Sequence, residues 1–270
     1  MFTGLKNKVL PIYEECKNIC RRLRSIDMHF KAERLVKDDI FTFSYKGKDV
    51  KFYLPFVLFD QVQMAILDNH AFHEYTLLER MRKTIKPGSV ILDCGANIGN
   101  HTLYFAMFCK AKHVYSFEPQ SVCASIFRKN MNINNLGDDL VTLYPQALGN
   151  QPGTVNIEFY DPKNMGATTF AYDANGETPV TTIDECNFSH VDFMKIDVEG
   201  FQLELLQGAT KLLREQHPTI WIEMNDGKLG VPGYNYEHEV TKPQKLLADF
   251  GYELVDKLSN CDYVYSMRQR

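Results

Sequence analysis

The segment Val90–Phe105, VILDCGANIGNHTLYF, sets the fold of this chain. Its first residues are apolar, as in a strand buried inside a sheet, and its last residues suit a helix packed on that sheet. Gly95 and Gly99 lie between the two, where glycine permits a tight turn and lets a ligand approach the bare backbone. A strand that turns through two glycines into a helix predicts a ligand pocket at the edge of an α/β sheet.

Short apolar runs alternate with amphipathic segments throughout the sequence that follows Ser89. Runs of this length separated by helices indicate a mainly parallel sheet buried on both faces. The runs are VILDCG, HVYSFEP, LVTLYPQAL, VDFMKID, PTIWIEM, YELVDKL and DYVYSM, with helices expected over 99–110, 120–134 and 201–216 and a two-strand insertion near 153–160 and 166–172. We predict a Rossmann-like, doubly wound, mostly parallel sheet of seven strands with an antiparallel edge strand.

The sequence before this sheet has a different pattern. Residues 1–37 space their apolar positions as in one or two amphipathic helices, and 40–46 and 49–54 alternate as the strands of a hairpin. A helix is expected over 72–86, because Pro87 and Gly88 end the pattern. We therefore expect an N-terminal helix and hairpin extension over 1–69, followed by a ligand-binding domain over 70–270.

Composition narrows the classes of protein that fit. The net charge of −4 disfavours nucleic acid as a partner, because nucleic-acid binding needs a concentrated basic face. The basic run Arg21, Arg22 and Arg24 indicates a solvated helix face or, alternatively, a contact with a partner or membrane surface. No apolar run is long enough to span a membrane. Seven cysteines without CxxC spacing are typical of free thiols in a reducing compartment, so we expect a soluble, cytoplasmic protein.

A carboxylate closes the second apolar run. Glu118 is placed to accept hydrogen bonds from both ribose hydroxyls of an adenosine ligand. A dinucleotide site would have glycine at positions 97 and 100, where this chain has asparagine, and Asp93 would repel a pyrophosphate. The same features suit S-adenosylmethionine, which has no phosphate and carries a sulfonium and an ammonium group. An NAD-dependent oxidoreductase is therefore disfavoured.

Several motifs resemble the FkbM family of methyltransferases over residues 70–266. They are Asp93-x-Gly95-Ala96-Asn97-x-Gly99-x-x-Thr102, Phe117-Glu118-Pro119, Ala147-Leu148-Gly149, Val180-Thr181-Thr182-Ile183-Asp184, Lys195-Ile196-Asp197-Val198-Glu199-Gly200-Phe201 and PTIWIE over 218–223. The resemblance implies a class I methyltransferase fold and, usually, O-methylation of a sugar or polyketide hydroxyl. Gln202 stands where family members often carry glutamate, which weakens any role for a carboxylate there.

The resemblance also implies which residues bind the cofactor. Gly95, Asn97 and Gly99, with Asp93 and Ala96 in the same loop, would contact the methionine part, and Thr102 would support that loop. Glu118, followed by Pro119, would bind the ribose. Gln146 and Ala147 would flank the adenine. Asp197 would either serve the cofactor ammonium or act on the acceptor.

The acceptor needs a group that orients it and takes its proton, because a protonated alcohol is a poor nucleophile. Asp197 is the first choice, since it follows the fourth strand, where ligands bind in open α/β sheets. Glu199 and Glu223 are the second choices. Lys195 shares a strand face with Asp197 and is expected to set its ionisation. Two structural readings stay open, in which Glu199 caps a helix and Glu223 pairs with Lys195.

Other features bear on the acceptor and on metals. Asp197, Glu199, Glu223 and Asn225 are oxygen donors that suit Mg²⁺, but acids cluster at strand ends without metal as well, so metal assistance is possible and not favoured. His101 either faces the cofactor or is simply packed. The segment NMGATTF over 164–170 and the aromatics Tyr234 and Tyr236 are candidates for shaping a polyol site, against a plain hairpin turn and ordinary surface aromatics.

The residues thus predict an S-adenosylmethionine-dependent methyltransferase with a carboxylate base, and the family resemblance implies that it methylates a hydroxyl oxygen of a sugar or glycan. Two alternatives stay open, namely methylation of another small metabolite and a non-catalytic module that binds the cofactor or a partner. The sequence makes no prediction of the oligomeric state.

Overall fold

The structure is a computed structural model that describes residues 3–225 and 235–268. Side chains are described from residue 15 onward within these ranges, except those of residues 16 and 21. The chain divides into two compact units, Met1–Ala71 and Phe72–Arg270.

The N-terminal unit combines two helices with a small antiparallel sheet. Helix α1 (Thr3–Leu35) is one continuous helix, and α2 (Gln61–Asn69), which the sequence pattern did not indicate, follows the sheet. The carboxylate of Asp60 accepts the Gln63 N–H, so it caps the start of α2. The sheet contains β1 (Val36–Lys37), β2 (Ile40–Tyr45) and β3 (Lys48–Tyr53) in that order, which confirms the predicted hairpin.

A seven-stranded sheet forms the centre of the second unit and confirms the predicted α/β fold. In chain order the strands are β4 (Val90–Cys94), β5 (His113–Phe117), β6 (Val141–Tyr144), β11 (Phe193–Ile196), β12 (Thr219–Glu223), β13 (Tyr252–Lys257) and β14 (Asp262–Met267). Their order across the sheet is β13-β14-β12-β11-β4-β5-β6. Strands β4, β5, β6, β11 and β12 pair in parallel. The last two strands form a hairpin at one edge, and the antiparallel strand β14 is the inner of the two rather than the outermost.

The described part of this unit, residues 72–225 and 235–268, contains six α-helices: α3 (Tyr75–Thr84), α4 (Asn100–Phe108), α5 (Ser121–Ile133), α6 (Gln202–Gln207), α7 (Thr210–Glu215) and α8 (Lys242–Asp249). The single helix expected over 201–216 is divided into α6 and α7. The carboxylate of Asp184 accepts the backbone N–H groups of Lys211 and Leu212, so it provides a new helix start at α7. A β-carbon at Gly208 would overlap the Gly149 carbonyl, so the chain between the helices packs directly on another backbone segment.

The insertion builds a second sheet of four strands. Its members are β7 (Ala147–Leu148), β8 (Gly153–Asp161), β9 (Asn164–Tyr172) and β10 (Thr178–Thr181), in the order β7-β10-β8-β9. The third apolar run was expected to form one strand, but it divides into β6 and β7 at Pro145. Proline has no N–H to give to a ladder, so the chain leaves the main sheet there. The segment NMGATTF is part of β9 and not a hairpin turn.

The main sheet is buried as its sequence predicts. Every residue of β4 and β11 is buried, and the side chains of Leu205, Leu213 and Ile220 have no exposed surface. Among the described residues, Cys94, Cys109 and Cys123 are buried cysteines that take part in no disulfide. Within the described ranges, no helix is long and apolar enough to cross a bilayer.

Candidate active site

The turn after β4 is held by its neighbours in the sheet. The Phe117 carbonyl accepts the N–H groups of Gly95 (3.0 Å) and Ala96 (2.9 Å). Gly95 has φ +82°, and a β-carbon there would overlap the Asp197 carbonyl oxygen. Gly99 has φ +85°, and a β-carbon there would lie 2.8 Å from the side chains of Phe127 and Met131. Packing within the protein therefore requires glycine at both positions, because the turn lies directly against neighbouring segments of the chain on both sides.

Asp93 lies beneath this turn with no exposed surface. The Thr102 hydroxyl donates a hydrogen bond of 2.5 Å to Asp93, and Thr102 also shares a hydrogen bond of 2.8 Å with Ser116. The Asp93 carboxylate is 3.7 Å from the Lys195 ammonium. The sequence suggested that Asp93 faces the cationic end of a ligand. The structure instead neutralises its charge internally, and both Asp93 and Thr102 support the turn from below.

Glu118 ends β5 on the side of the turn. Its carboxylate accepts the backbone N–H of Asn97 and that of Gln120, each at 2.8 Å. Burial raises the pKa of Glu118 to about 7, although the two backbone hydrogen bonds act in the opposite direction. Each carboxylate oxygen has two lone pairs and uses one here, so both can accept a further donor.

Asn97 is held in a left-handed conformation, with φ +50°. Its side-chain carbonyl oxygen is buried and has no hydrogen-bond partner. A β-carbon at Gly166 of β9 would lie 2.8 Å from the Asn97 amide nitrogen, so the absence of a side chain at 166 lets the second sheet approach the turn. The Gln120 amide donates to the Met165 carbonyl at 2.8 Å. The sequence singled out neither Gln120 nor this contact, because both depend on the placement of β9.

The remaining residues that were expected near the cofactor lie around the same edge. Pro119 and Gln146 are partly exposed in the loops after β5 and β6. Ala147 is buried, and it packs with Val155 and Val180 in the core of the second sheet. Gln146 is therefore the more accessible of the two residues proposed to flank the adenine.

Lys195 and Asp197 form the ion pair that the two-residue strand period predicts. The Lys195 ammonium lies 2.9 Å from the Asp197 carboxylate and donates to the Gly95 carbonyl at 3.0 Å. Burial lowers the pKa of Lys195, but the negative charges of Asp197 and Asp93 outweigh it and raise the pKa above its usual value. Lys195 therefore stays cationic, and the Asp197 side chain remains 26% exposed beside it.

Two further carboxyl groups lie in the field of Asp197. Burial and the charge of Asp197 raise the pKa of Glu199 to about 8. The charge of Asp197 and burial raise the pKa of Glu223 well above its usual range. Glu199 has φ +44°, and α6 begins after Phe201 without a side-chain cap, so the helix-cap interpretation of Glu199 is wrong. The ion pairs of Lys195 are with Asp93 and Asp197 in the described part of the chain, which does not support a pair with Glu223.

A histidine and a glutamate that sequence reasoning did not connect also belong to this region. His101 is 6% exposed, and its ring lies 5.3 Å from that of Trp221 in an edge-to-face contact. Its Nε2 atom is 3.3 Å from the Glu74 carboxylate. Burial would raise the pKa of Glu74, but His101, His73 and Lys195 lower it to about 2. His101 is thus packed inside the unit, and Glu74 is ionised at neutral pH.

Some of the predicted acceptor features lie elsewhere or outside the described residues. Tyr236 is 54% exposed, directly before a π-helix over Glu237–Thr241. Tyr234 lies outside the described residues. The charge of Glu239 contributes to the raised pKa of Glu199, so the π-helix faces this region. No group of three or more His, Cys, Asp or Glu side chains suited to a metal occurs within 3–225 and 235–268.

The arrangement offers two kinds of chemistry at one edge of the sheet. Glu118 and Asn97 present hydrogen-bond acceptors beside a glycine turn, which suits a nucleoside with donor groups. Asp197 contacts the buried Lys195 ammonium, and Glu199 and Glu223 lie in the electrostatic field of Asp197, with the pKa of Glu199 at about 8. Groups with such a pKa are suited to proton transfer at physiological pH.

Comparison with known proteins agrees with this geometry. A family model described as the methyltransferase FkbM domain matches residues 93–265. Methyltransferase 1 of Beauveria bassiana (strain ARSEF 2860) is 25% identical over 166 residues, which are 52% of this chain and 66% of that protein. The chain therefore spans slightly less than two thirds of the length of this curated relative.

Solved structures also resemble the chain. The methyltransferase FkbM from Methylobacillus flagellatus KT has a TM-score of 0.46 at 16% identity, over 93% of this chain and 60% of that one. A SAM-dependent methyltransferase from Aquifex aeolicus has a TM-score of 0.42 at 18% identity, over 70% of this chain and 88% of that one. The family match covers more than half of the chain and includes both the glycine turn and the acids Asp197, Glu199 and Glu223. The chain belongs to the FkbM methyltransferase family.

Proposed function

We propose that this chain transfers a methyl group from S-adenosylmethionine to a hydroxyl oxygen of a small molecule, and that the acceptor is a sugar or glycan. One observation carries the proposal: Glu118 and Asn97 present unused hydrogen-bond acceptors side by side at the carboxyl edge of the sheet. Membership of the FkbM family supports methyl transfer as the reaction. The sequence resemblance to that family supports the class of acceptor.

The residues at this edge fit the proposed cofactor. A buried carbonyl oxygen without a partner costs about 1–3 kcal/mol, so the Asn97 oxygen favours a ligand that brings a donor such as an ammonium group. Glu118 has room for two more hydrogen bonds, which matches the two hydroxyls of a ribose. S-adenosylmethionine supplies an electrophilic methyl group on a cationic sulfonium. Gln146 and Pro119 are the accessible residues that would border the adenine.

Asp197, Glu199 and Glu223 would handle the acceptor. Lys195 remains protonated and is not a base, but it holds Asp197 in place through a 2.9 Å contact. We assign Asp197 to orienting the acceptor hydroxyl. We assign Glu199, which exchanges its proton close to neutral pH because its pKa is near 8, to receive the proton that the hydroxyl loses. Glu223 is the alternative proton acceptor in the same field.

Ligand-dependent stability tests the cofactor part of the proposal. S-adenosylhomocysteine at 100 times its dissociation constant adds about 2.7 kcal/mol to the free energy of unfolding. We expect this stabilisation in thermal unfolding and none with NAD. Glu118→Gln should weaken S-adenosylhomocysteine binding by about 10–100-fold, because hydrogen bonds to a charged group contribute about 1.5–3 kcal/mol. Glu158→Gln, the same change on an exposed strand position, is the matched control. Stabilisation by NAD alone would exclude the proposed cofactor.

Turnover tests the acceptor part and separates the alternatives. Sugars, activated sugars and glycan fragments are screened for cofactor consumption, and mass spectrometry locates the added methyl group. Asp197→Asn should retain S-adenosylhomocysteine binding and lose about 100-fold in rate, because the acceptor hydroxyl is no longer oriented. Turnover only with acceptors other than polyols would indicate another small metabolite. Cofactor binding without turnover of any acceptor would indicate a binding module.

A further inference from the structure

Helix α1 carries an apolar stripe that is open to solvent. Its members are Ile19, Leu23, Ile26 and Phe30, which are 50%, 61%, 53% and 64% exposed. They follow one another at intervals of four, three and four residues, so they lie along one face of the helix. Contiguous exposed apolar surface of this kind marks an interaction site.

The opposite face of α1 is already packed within its own unit. Met28 is only 3% exposed. The Lys31 ammonium contacts the Asp68 carboxylate of α2 at 2.5 Å, and Arg24 lies 3.6 Å from the same carboxylate. Since successive residues turn by roughly 100° around a helix, these three positions lie about opposite the stripe. The contacts between α1 and α2 therefore do not use the apolar stripe.

The spacing of the stripe is that of a coiled coil. Alternating steps of four and three residues give a period of 3.5, and such a seam stays on one face only when the helix winds around another helix. In the sequence the same spacing extends back through Cys16, Ile12, Val9 and Leu5. Helix α1 has 33 residues and is therefore about 50 Å long. Apolar positions that persist over about four heptads distinguish a coiled coil from an ordinary surface helix.

We propose that the stripe binds the same stripe on a second copy of this chain, as a parallel two-stranded coiled coil. Leu23 and Phe30 take the a positions, and Ile19 and Ile26 take the d positions. In parallel helices, a g residue faces the e residue five positions further along the partner helix. Arg22 and Asp27 occupy such g and e positions, so each copy places a positive charge opposite a negative charge of the other, twice by symmetry.

The charges that border the stripe favour a second copy of the chain over a membrane surface as its binding partner. Glu15 occupies a g position and Asp27 an e position, so acidic groups border the stripe on both sides. A helix that lies on an anionic membrane carries mainly Lys and Arg on its polar face. The sequence of α1 has eight Lys and Arg residues and four Asp and Glu residues, but two of the acids, Glu15 and Asp27, border the stripe itself. A mixed-sign border is typical of e and g positions in coiled coils.

Sedimentation equilibrium of the full chain tests the dimer. We expect a mass of twice 31.2 kDa at micromolar concentration for the unchanged chain. Leu23→Glu places two like charges in the seam and should raise the dimer dissociation constant by at least about 100-fold. Ser25→Glu, which adds the same charge at an exposed position outside the stripe, should remain dimeric. Circular dichroism shows whether both variants keep their helix content, so that loss of the dimer is not confused with unfolding.

Exchange of the flanking charges tests the parallel arrangement. Arg22→Asp should weaken the dimer by about fivefold, and the double variant with Asp27→Arg should bind more tightly than either single variant, because the pair between copies is then reversed. Asp27→Arg alone also removes the 2.9 Å contact of Asp27 with Lys31 of its own helix, so it is the reference for the double variant. Failure of the double variant to recover would overturn the parallel alignment. A monomeric unchanged chain, or a dimer that Leu23→Glu leaves intact, would overturn the proposal. A monomer that binds vesicles of phosphatidylcholine and phosphatidylserine only when Leu23 is present would assign the stripe to a membrane instead.

Discussion

Gly95 is the position where the structure makes its sharpest energetic prediction. Alanine at this position meets two separate penalties. The first is its left-handed conformation, with φ +82°, which costs a residue with a side chain about 1–2 kcal/mol. The second is the overlap of the new β-carbon with the Asp197 carbonyl. That carbonyl belongs to backbone held by the Asp197 N–H to Cys94 hydrogen bond of 3.0 Å, so it has little freedom to move.

Overpacking of a buried site typically costs a further 1–3 kcal/mol. We therefore expect Gly95→Ala to lower the free energy of unfolding by about 2–5 kcal/mol, as the sum of the two penalties. Gly88→Ala is the matched control, because Gly88 has φ +85° in the same unit and no atom within 4 Å of the added β-carbon. It should cost about 1–2 kcal/mol, from the conformation alone.

Urea unfolding followed by tryptophan fluorescence measures both variants. The chain has one tryptophan, Trp221, which is 2% exposed in β12 beside β11, so its signal reports on the unit that contains Gly95. The difference between the two variants isolates the packing penalty. Equal costs for Gly95→Ala and Gly88→Ala would show that the close approach of the Asp197 backbone contributes nothing to stability.

Three further predictions concern the same unit. Lys195→Met should destabilise it by about 3–5 kcal/mol in urea, because Asp93 then keeps a buried charge without its cation, and adding Asp93→Asn should recover part of the loss. Since burial raises the pKa of Glu199 from 4.5 to about 8, the folded chain binds more protons than the unfolded chain between these values. Its free energy of unfolding should therefore fall as pH rises through that window, and a pH series of Glu199→Gln should show a smaller slope. Gly166→Val should weaken S-adenosylhomocysteine binding in calorimetry by at least about tenfold while leaving urea unfolding nearly unchanged, because the new side chain meets Asn97 at the turn. An unchanged affinity for S-adenosylhomocysteine would show that the second sheet does not contribute to the cofactor site.

Local patterns explain the part of the fold that was predicted correctly. The alternation of buried strands and helices, the glycine turn and the acid at Glu118 are each encoded within a few neighbouring residues. The period of two along β11 is also a local pattern, and it correctly predicts that Lys195 and Asp197 lie together. The sequence also predicts an antiparallel edge strand, and β13 at the edge of the main sheet pairs antiparallel with β14. The order of these two strands is not a local property, because strand order depends on pairing across the sheet.

Contacts between distant segments account for what the sequence did not reveal. The chain leaves the main sheet at Pro145 and continues in the second sheet. Strand β9 of that sheet lies against the turn at Asn97. Glu74 and His101 are 27 positions apart, and nothing in their spacing indicates a pair. Their meeting depends on how α3 and α4 pack.

The FkbM-type α/β sheet and the acids at its carboxyl edge can be read from the order of residues alone, because strand period and glycine turns are local properties of the backbone. The charge state of those acids follows only from the folded chain. Glu118 and Glu199 have raised pKa values, and Lys195 stays cationic at 3.7 Å from Asp93 beneath the turn. Ionisation depends on burial and on charges brought from other strands, and both arise only when the chain is folded.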